Sequence, residues 1–102
     1  MRQAFFIDRQ AYIPKMSIIP YFVYIIQSEK DGRYYIGSTQ NLEERLDRHN
    51  QGRSKFTKGR GPWELVYSED HPNRASAVKR ENEIKNRKKK LYIERLIRTS
   101  RP

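Results

Sequence analysis

Two phenols, a guanidinium, an imidazole and one carboxylate stand at spacings that invite chemistry: Tyr24 and Tyr35, Arg45 and His49, and Glu81. A phenol ionises near pKa ~10, so phenolate is scarce at neutral pH unless a positive charge stands close. Tyr24 and Tyr35 are therefore either core aromatics or acid–base groups that depend on a cationic neighbour. Arg45 carries a planar fork that either pairs with Glu44 or Asp47 or clamps a phosphate. His49, one helical turn on, either orients a tyrosine or a water, or is a satisfied core histidine. Glu81 falls between Ala77 and Ile84 on an apolar helical stripe, where an unpartnered carboxylate is costly. Its partner is either Arg45 or a lysine, or else a divalent cation. Mg²⁺ needs only one or two carboxylates, because it keeps several waters and takes up substrate phosphate.

The elements that must position these groups are legible around them. Tyr21–Gln27 and Arg33–Ser38 are rich in aromatic and β-branched residues and read as strands. The stretch between them contains Asp31-Gly32, a strong turn dipeptide because glycine accepts positive φ. A loop of even length sets even-numbered residues of the first strand opposite odd-numbered residues of the second. Tyr24 and Tyr35 then project to the same side, whereas a three-residue loop would separate them. Asn41 is a good helix N-cap, with Glu44 three residues on completing a capping-box-like pair. Leu42 and Leu46 mark the buried face of that helix, with Arg45 at its edge and His49 within it. Gln51-Gly52 ends the helix, glycine standing where a left-handed cap belongs. Gly37 is read as a backbone requirement that leaves room beside the site.

Val23-Tyr24-Ile25, then Tyr35-Ile36-Gly37, then Arg45 on the following helix, resemble the signature of the GIY-YIG nuclease family. Valine stands where the family name has its first glycine. The resemblance runs from Tyr21 to the neighbourhood of Ile97. It implies a metal-dependent endonuclease that hydrolyses DNA phosphodiester bonds with Mg²⁺ or Mn²⁺, of the kind used in DNA repair or recombination. By the same resemblance, Tyr24 takes the proton from the attacking water and Tyr35 positions water or phosphate. Arg45 would clamp the scissile phosphate, and the segment Arg80 to Lys85 resembles the one that carries the family's metal-binding glutamate, here Glu81.

The formal net charge of +10 is unevenly placed. Residues 71–102 carry eleven basic and three acidic side chains, while residues 1–70 are nearly balanced. The basic third is either a solvated helix or the footprint of a polyanion, nucleic acid before acidic membrane. Arg53, Lys55, Lys58 and Arg60 form a basic loop with Phe56, and Lys88, Lys89 and Lys90 form a run; all seven are candidate phosphate contacts. The chain has no cysteine and two histidines, which argues against a disulfide framework and against a zinc site. No apolar run approaches the ~20 residues of a membrane span, and the protein is expected to be cytoplasmic, with no membrane partner.

Residues 1–20 lack periodicity and are expected to be a disordered extension, with Met16 a second candidate start. The nuclease-like domain is expected over residues 21–99. Trp63–Glu69 reads as a third strand with Leu65 and Tyr67 on one side and Glu64 and Val66 on the other. Asn73 is a second N-cap, a helix follows from Arg74 to Lys88, and a last helix takes Leu91, Ile93, Leu96 and Ile97 as its apolar side. The expected fold is α+β: a small three-stranded antiparallel sheet flanked by helices in the order β-β-α-β-α-α. Two further functions compete with the nuclease. One is a nucleic-acid-binding module of the same fold with weak or no catalysis; the other is an interaction protein whose basic helix docks on an acidic partner.

Overall fold

The computed structural model of the protein describes residues 20–87 and 89–100. The expectation of disorder for residues 1–20 falls, apart from Pro20, outside them, as does Lys88. Strand β1 (Tyr21–Ser28) takes the middle of the sheet because it is apolar on both faces: Val23, Tyr24, Ile25 and Ile26 are all buried. Strands β2 (Tyr34–Thr39) and β3 (Trp63–His71) flank it, both antiparallel, in the order β2-β1-β3.

The hairpin loop holds four residues, Glu29 to Gly32. Ser28 N–H donates to the Arg33 carbonyl at 2.8 Å, and Gly32 takes φ 78°. Its even length sets Tyr24 opposite Gly37 and Ile26 opposite Tyr35, so the two candidate phenols share a face. Helix α1 (Leu42–Asn50) covers that face, where Leu42, Leu46 and Tyr35 pack on Tyr24, Ile26 and Trp63. Asn41 caps it, its Oδ1 accepting from Glu44 N–H at 3.0 Å, and Gly52 follows it with φ 72°.

Helices α2 (Arg74–Arg87) and α3 (Lys90–Thr99) cover the other face. There Ala77 and Ile84 join Val23, Ile25 and Ile36, with Tyr92, Ile93 and Leu96 packed around them. Asn73 caps α2, accepting from Ser76 N–H at 2.8 Å. The fold is the expected β-β-α-β-α-α arrangement.

Strand β3 departs from the expected alternation. The register slips between Ile25 and Ile26, so Ile25 faces Tyr67 while Ile26 faces Leu65. Val66 is the extra residue of a bulge. Val66 and Tyr67 both join the α2/α3 core, and Leu65 is left exposed on the opposite side. One inserted residue reverses the faces that a regular strand would assign.

A polar hub anchors α2. The Glu69 carboxylate accepts from Tyr67 Oη at 2.5 Å and Arg80 Nε at 3.0 Å, and meets His71 Nε2 at 2.7 Å. His71 Nδ1 bonds Ser76 Oγ at 2.6 Å, and Arg80 Nη1 donates to Tyr92 Oη at 3.2 Å. Burial pushes the Glu69 carboxyl up, but these partners outweigh it and hold it below its usual range. The hub ties β3, α2 and α3 together and fixes the rotation of α2, and with it the direction of Glu81.

Ile84 is 1% exposed and docks α2 on the sheet. Ile84→Ala should therefore destabilise the protein by about 2–5 kcal/mol. Leu91, at 78% exposed, should tolerate Leu91→Ser within about 0.5 kcal/mol. Urea unfolding of the two variants checks this; equal losses would contradict the core assigned here.

Candidate nuclease-like site

The site is built around the hydroxyl of Tyr24. A Cβ placed on Gly37 would lie 2.5 Å from that oxygen and 2.7 Å from the ring carbon bearing it. Any side chain at this position would displace the phenol. Glycine lets the ring leave the central strand and lie across β2, an edge strand. The room expected at Gly37 is thus room for Tyr24 itself.

His49 meets this hydroxyl from α1, with Nε2 2.9 Å from Tyr24 Oη. Its Nδ1 lies 2.7 Å from Thr57 Oγ1. The Tyr35 ring packs edge-on against the imidazole with centroids 5.1 Å apart. His49 and Thr57 are nearly inaccessible, at 3% and 1%. Trp63 Nε1 donates to the Thr57 carbonyl at 3.2 Å, which fixes the loop residue that fixes the histidine.

Burial pushes the Tyr24 phenol up to about 12; Arg45 acts against it, while Tyr35 and Glu81 reinforce it. All three groups thus lie within electrostatic reach of one hydroxyl. The charge that was expected to ease ionisation is present, but desolvation outweighs it. For His49, burial comes first, then the charges of Arg45 and Arg48, and together they bring the imidazole down to about 4. It is neutral at pH 7, with one nitrogen a donor and the other an acceptor. The positive charge of Arg45 favours the oxygen side of the phenol, which turns the phenolic proton toward Nε2. Nδ1–H then donates to Thr57 Oγ1. Arg45 Nε is buried without a hydrogen-bond partner, a guanidinium group with donor capacity to spare.

Glu81 is placed differently from the other four. It reaches the sheet from the α2 side, where Ser38 Oγ donates to Oε1 at 2.8 Å and Lys85 Nζ lies 2.6 Å from Oε2. Its cationic partner is therefore a lysine one turn on and not Arg45. Tyr24 crosses β2 at Gly37 on one face, and Glu81 reaches the same strand at Ser38 from the other.

Whether Glu81 suits a hard cation turns on its remaining lone pairs. Each oxygen accepts one hydrogen bond and keeps capacity for another partner. The Lys85 side chain is 45% exposed and free to turn to solvent, and Ser38 orients the carboxylate from behind. Among the described residues no three acidic or histidine side chains cluster. A cation here would take most of its ligands from water and phosphate, as Mg²⁺ does. The residues fit such an ion.

Beside Arg45 a cleft of about 410 Å³ opens, lined among others by Tyr21, Ser38, Thr39, Asn41 and Arg74. Arg74 opens α2 and was not anticipated from the sequence; nor were Ser38 and Thr57. A threonine in a polar loop, or the first residue of a helix, carries no local sign of the tertiary neighbour it will meet. The basic loop residues Arg53, Lys55, Lys58 and Arg60 are exposed around the buried Thr57. Lys89 and Lys90 are also exposed but gather elsewhere, lining a cleft with Arg33 and Tyr34 at the hairpin end of α3.

The depressed basicity of His49 has a consequence for stability. An unfolded imidazole, near 6.5, binds a proton that the folded one refuses until about pH 4. Stability from this group is intact above pH 6.5 and falls as the pH drops from 6.5 to 4. At ~1.4 kcal/mol per pKa unit the loss reaches about 2–3 kcal/mol. His49→Gln cannot titrate, so its stability should fall less over the same window. Urea melts between pH 7 and pH 4 measure the difference, and parallel curves would show that His49 is not buried neutral.

A family model described as the GIY-YIG catalytic domain matches residues 20–95. A UPF0213 protein of Staphylococcus saprophyticus is 43% identical over 76 residues, covering 72% of this chain and 92% of its own length. A UPF0213 protein of Staphylococcus aureus matches to the same extent. The solution NMR structure of a UPF0213 protein from Bacillus halodurans is 34% identical, covers 74% of this chain and 83% of its own, and superposes with a TM-score of 0.46. No helix among the described residues is long and apolar enough to cross a membrane. With the matched residues spanning all three strands, α1, α2 and half of α3, this chain belongs to the GIY-YIG family.

Proposed function

We propose that the protein is a metal-dependent endonuclease that hydrolyses DNA phosphodiester bonds, acting in the cytoplasm on DNA under repair or recombination. The observation that carries this reading is the convergence on the Tyr24 hydroxyl. His49 Nε2 meets it at 2.9 Å, Gly37 clears the space it occupies, and the charges of Arg45 and Glu81 act on it. Membership of the GIY-YIG family supports the same chemistry.

Hydrolysis requires a proton to leave the attacking water and charge to be offset on the phosphoryl oxygens. A phenol at about 12 is a poor reservoir of phenolate, so a relay suits this geometry better than a preformed base. Tyr24 Oη takes the proton of the water while its own proton passes to His49 Nε2, 2.9 Å away. Arg45, which borders the cleft, would clamp the scissile phosphate with its guanidinium. Burial is the main cause of the low basicity of His49, and the arriving anion offsets the added charges of Arg45 and Arg48, so the imidazole becomes a better acceptor once substrate is in place. Tyr35, packed on the imidazole, would position water or phosphate. Glu81 would hold Mg²⁺ or Mn²⁺, which when bound supplies Lewis-acid charge at the phosphate and leaving oxygen. Arg53, Lys55, Lys58, Arg60 and the lysines 88–90 would contact the backbone of the nucleic acid.

One observation favours the other reading, a binding module without useful catalysis: Lys85 sits on the carboxylate that the cation needs. Cleavage of labelled DNA with Mg²⁺ and with EDTA separates the two.

Tyr24→Phe removes the relay but keeps the ring, so the fold should survive while cleavage falls by at least ~10²-fold. Tyr35→Phe should also lower cleavage by at least ~10²-fold with the fold intact. Wild-type rates in both variants would return the tyrosines to the core.

Glu81→Gln tests the carboxylate. Lys85 is 45% exposed against 16% for Glu81 and can turn to solvent when its partner is neutral, and Gln keeps an acceptor for Ser38 Oγ, so the melting temperature should move little. Cleavage should collapse while DNA binding persists. Metal-dependent cleavage at the wild-type rate in this variant would sink the assigned role.

A further inference from the structure

Phe56 is 70% exposed and belongs to neither core cluster. A single exposed apolar side chain usually needs no explanation, but this one is held in place. Its neighbour Thr57 is 1% exposed and bonded to the imidazole of His49. Thr57 N–H and Lys58 N–H both donate to the Ser54 carbonyl, at 3.2 and 3.0 Å, which turns residue 56 outward as residue 57 turns in. At the far end of the loop, Ser28 Oγ donates to the Arg60 carbonyl at 2.6 Å and Lys30 Nζ to the Gly59 carbonyl at 3.4 Å. An aromatic ring is thus displayed on a braced loop, one residue from the group that orients His49.

The ring's surroundings are cationic. Arg53, Lys55, Lys58 and Arg60 are all exposed within four residues of it, and Lys55 Nζ lies 5.8 Å from the ring centroid. A protein core would bring apolar neighbours, and among the described residues Phe56 joins no apolar cluster. A nucleobase offers a π-face for the ring, and its own phosphates answer the four charges. Inside a duplex that face is stacked on its neighbours and closed to the ring; in an unpaired strand it is open.

We infer that Phe56 is a stacking platform for an unpaired nucleobase of the strand whose phosphate enters the site, so that the preferred substrate carries single-stranded DNA next to the scissile bond. The inference rests on the nucleic-acid reading above and extends it to a class of substrate. The basic side chains hold the backbone whatever its sequence, and the ring discriminates unpaired from paired DNA.

Binding of the 102-residue chain in EDTA to a labelled blunt duplex, and to the same duplex with a single-stranded tail, tests this without reference to cleavage. Phe56→Leu keeps apolar bulk and removes the π-face. It should weaken binding of the tailed probe by roughly 5- to 150-fold, the range for losing one stacked base, and leave the blunt probe unchanged. Phe56→Trp should restore the tailed affinity. Equal losses on both probes, or no loss on either, would overturn the platform while leaving the nuclease proposal standing. A wild type that binds neither probe overturns both readings together. The expected discrimination in a protein that cleaves neither probe with Mg²⁺ would remove the nuclease reading alone.

Discussion

The hydrogen bond from Tyr24 to His49 Nε2 is the interaction on which the site depends, because it joins the central strand to α1 through polar atoms inside an otherwise apolar layer. Two polar groups buried together are tolerable only when each satisfies the other. The pairing needs Gly37, since a side chain there would push the phenol aside, and Thr57, which occupies the second imidazole nitrogen. The loop after α1, the hairpin and α1 itself are therefore locked to one another by three side chains and one missing Cβ.

The remainder of the fold supplies rigidity on the other face. Glu69 collects Tyr67, His71 and Arg80, and Arg80 reaches on to Tyr92, so one carboxylate holds β3, α2 and α3 in register. The bulge at Val66 adds Tyr67 to that face. The aim of α2 then brings Glu81 to the edge strand at Ser38. Two separately stabilised layers thus reach β2 from opposite faces, and β2 is an edge strand of the sheet among the described residues.

Burial acts on the two central groups in opposite senses: it makes the phenol reluctant to ionise and the imidazole reluctant to protonate. Both are neutral at rest, which is a low-cost state for buried groups. In the proposed chemistry an incoming phosphate alters the balance by engaging Arg45, so charge develops at the site only when substrate is there to match it.

Much of this is legible in the chain itself. The alternation of aromatic and β-branched residues, Asp31-Gly32, the Asn41 cap and Gly52 are local signals, and local sterics and hydrogen bonds decide them. The shared face of Tyr24 and Tyr35 followed for any even loop, and the structure supplies the parity with four residues. What the sequence did not determine are the contacts between residues far apart along it. Thr57 behind His49, Ser38 on Glu81, Arg74 in one cleft with Arg45 and the bulge at Val66 all depend on how the helices settle against the sheet. Packing of whole elements chooses these neighbours, and no short-range pattern encodes it. For the same reason Arg45 was a natural partner for Glu81 on paper. The tertiary structure set the sheet between them and left only a route around its edge.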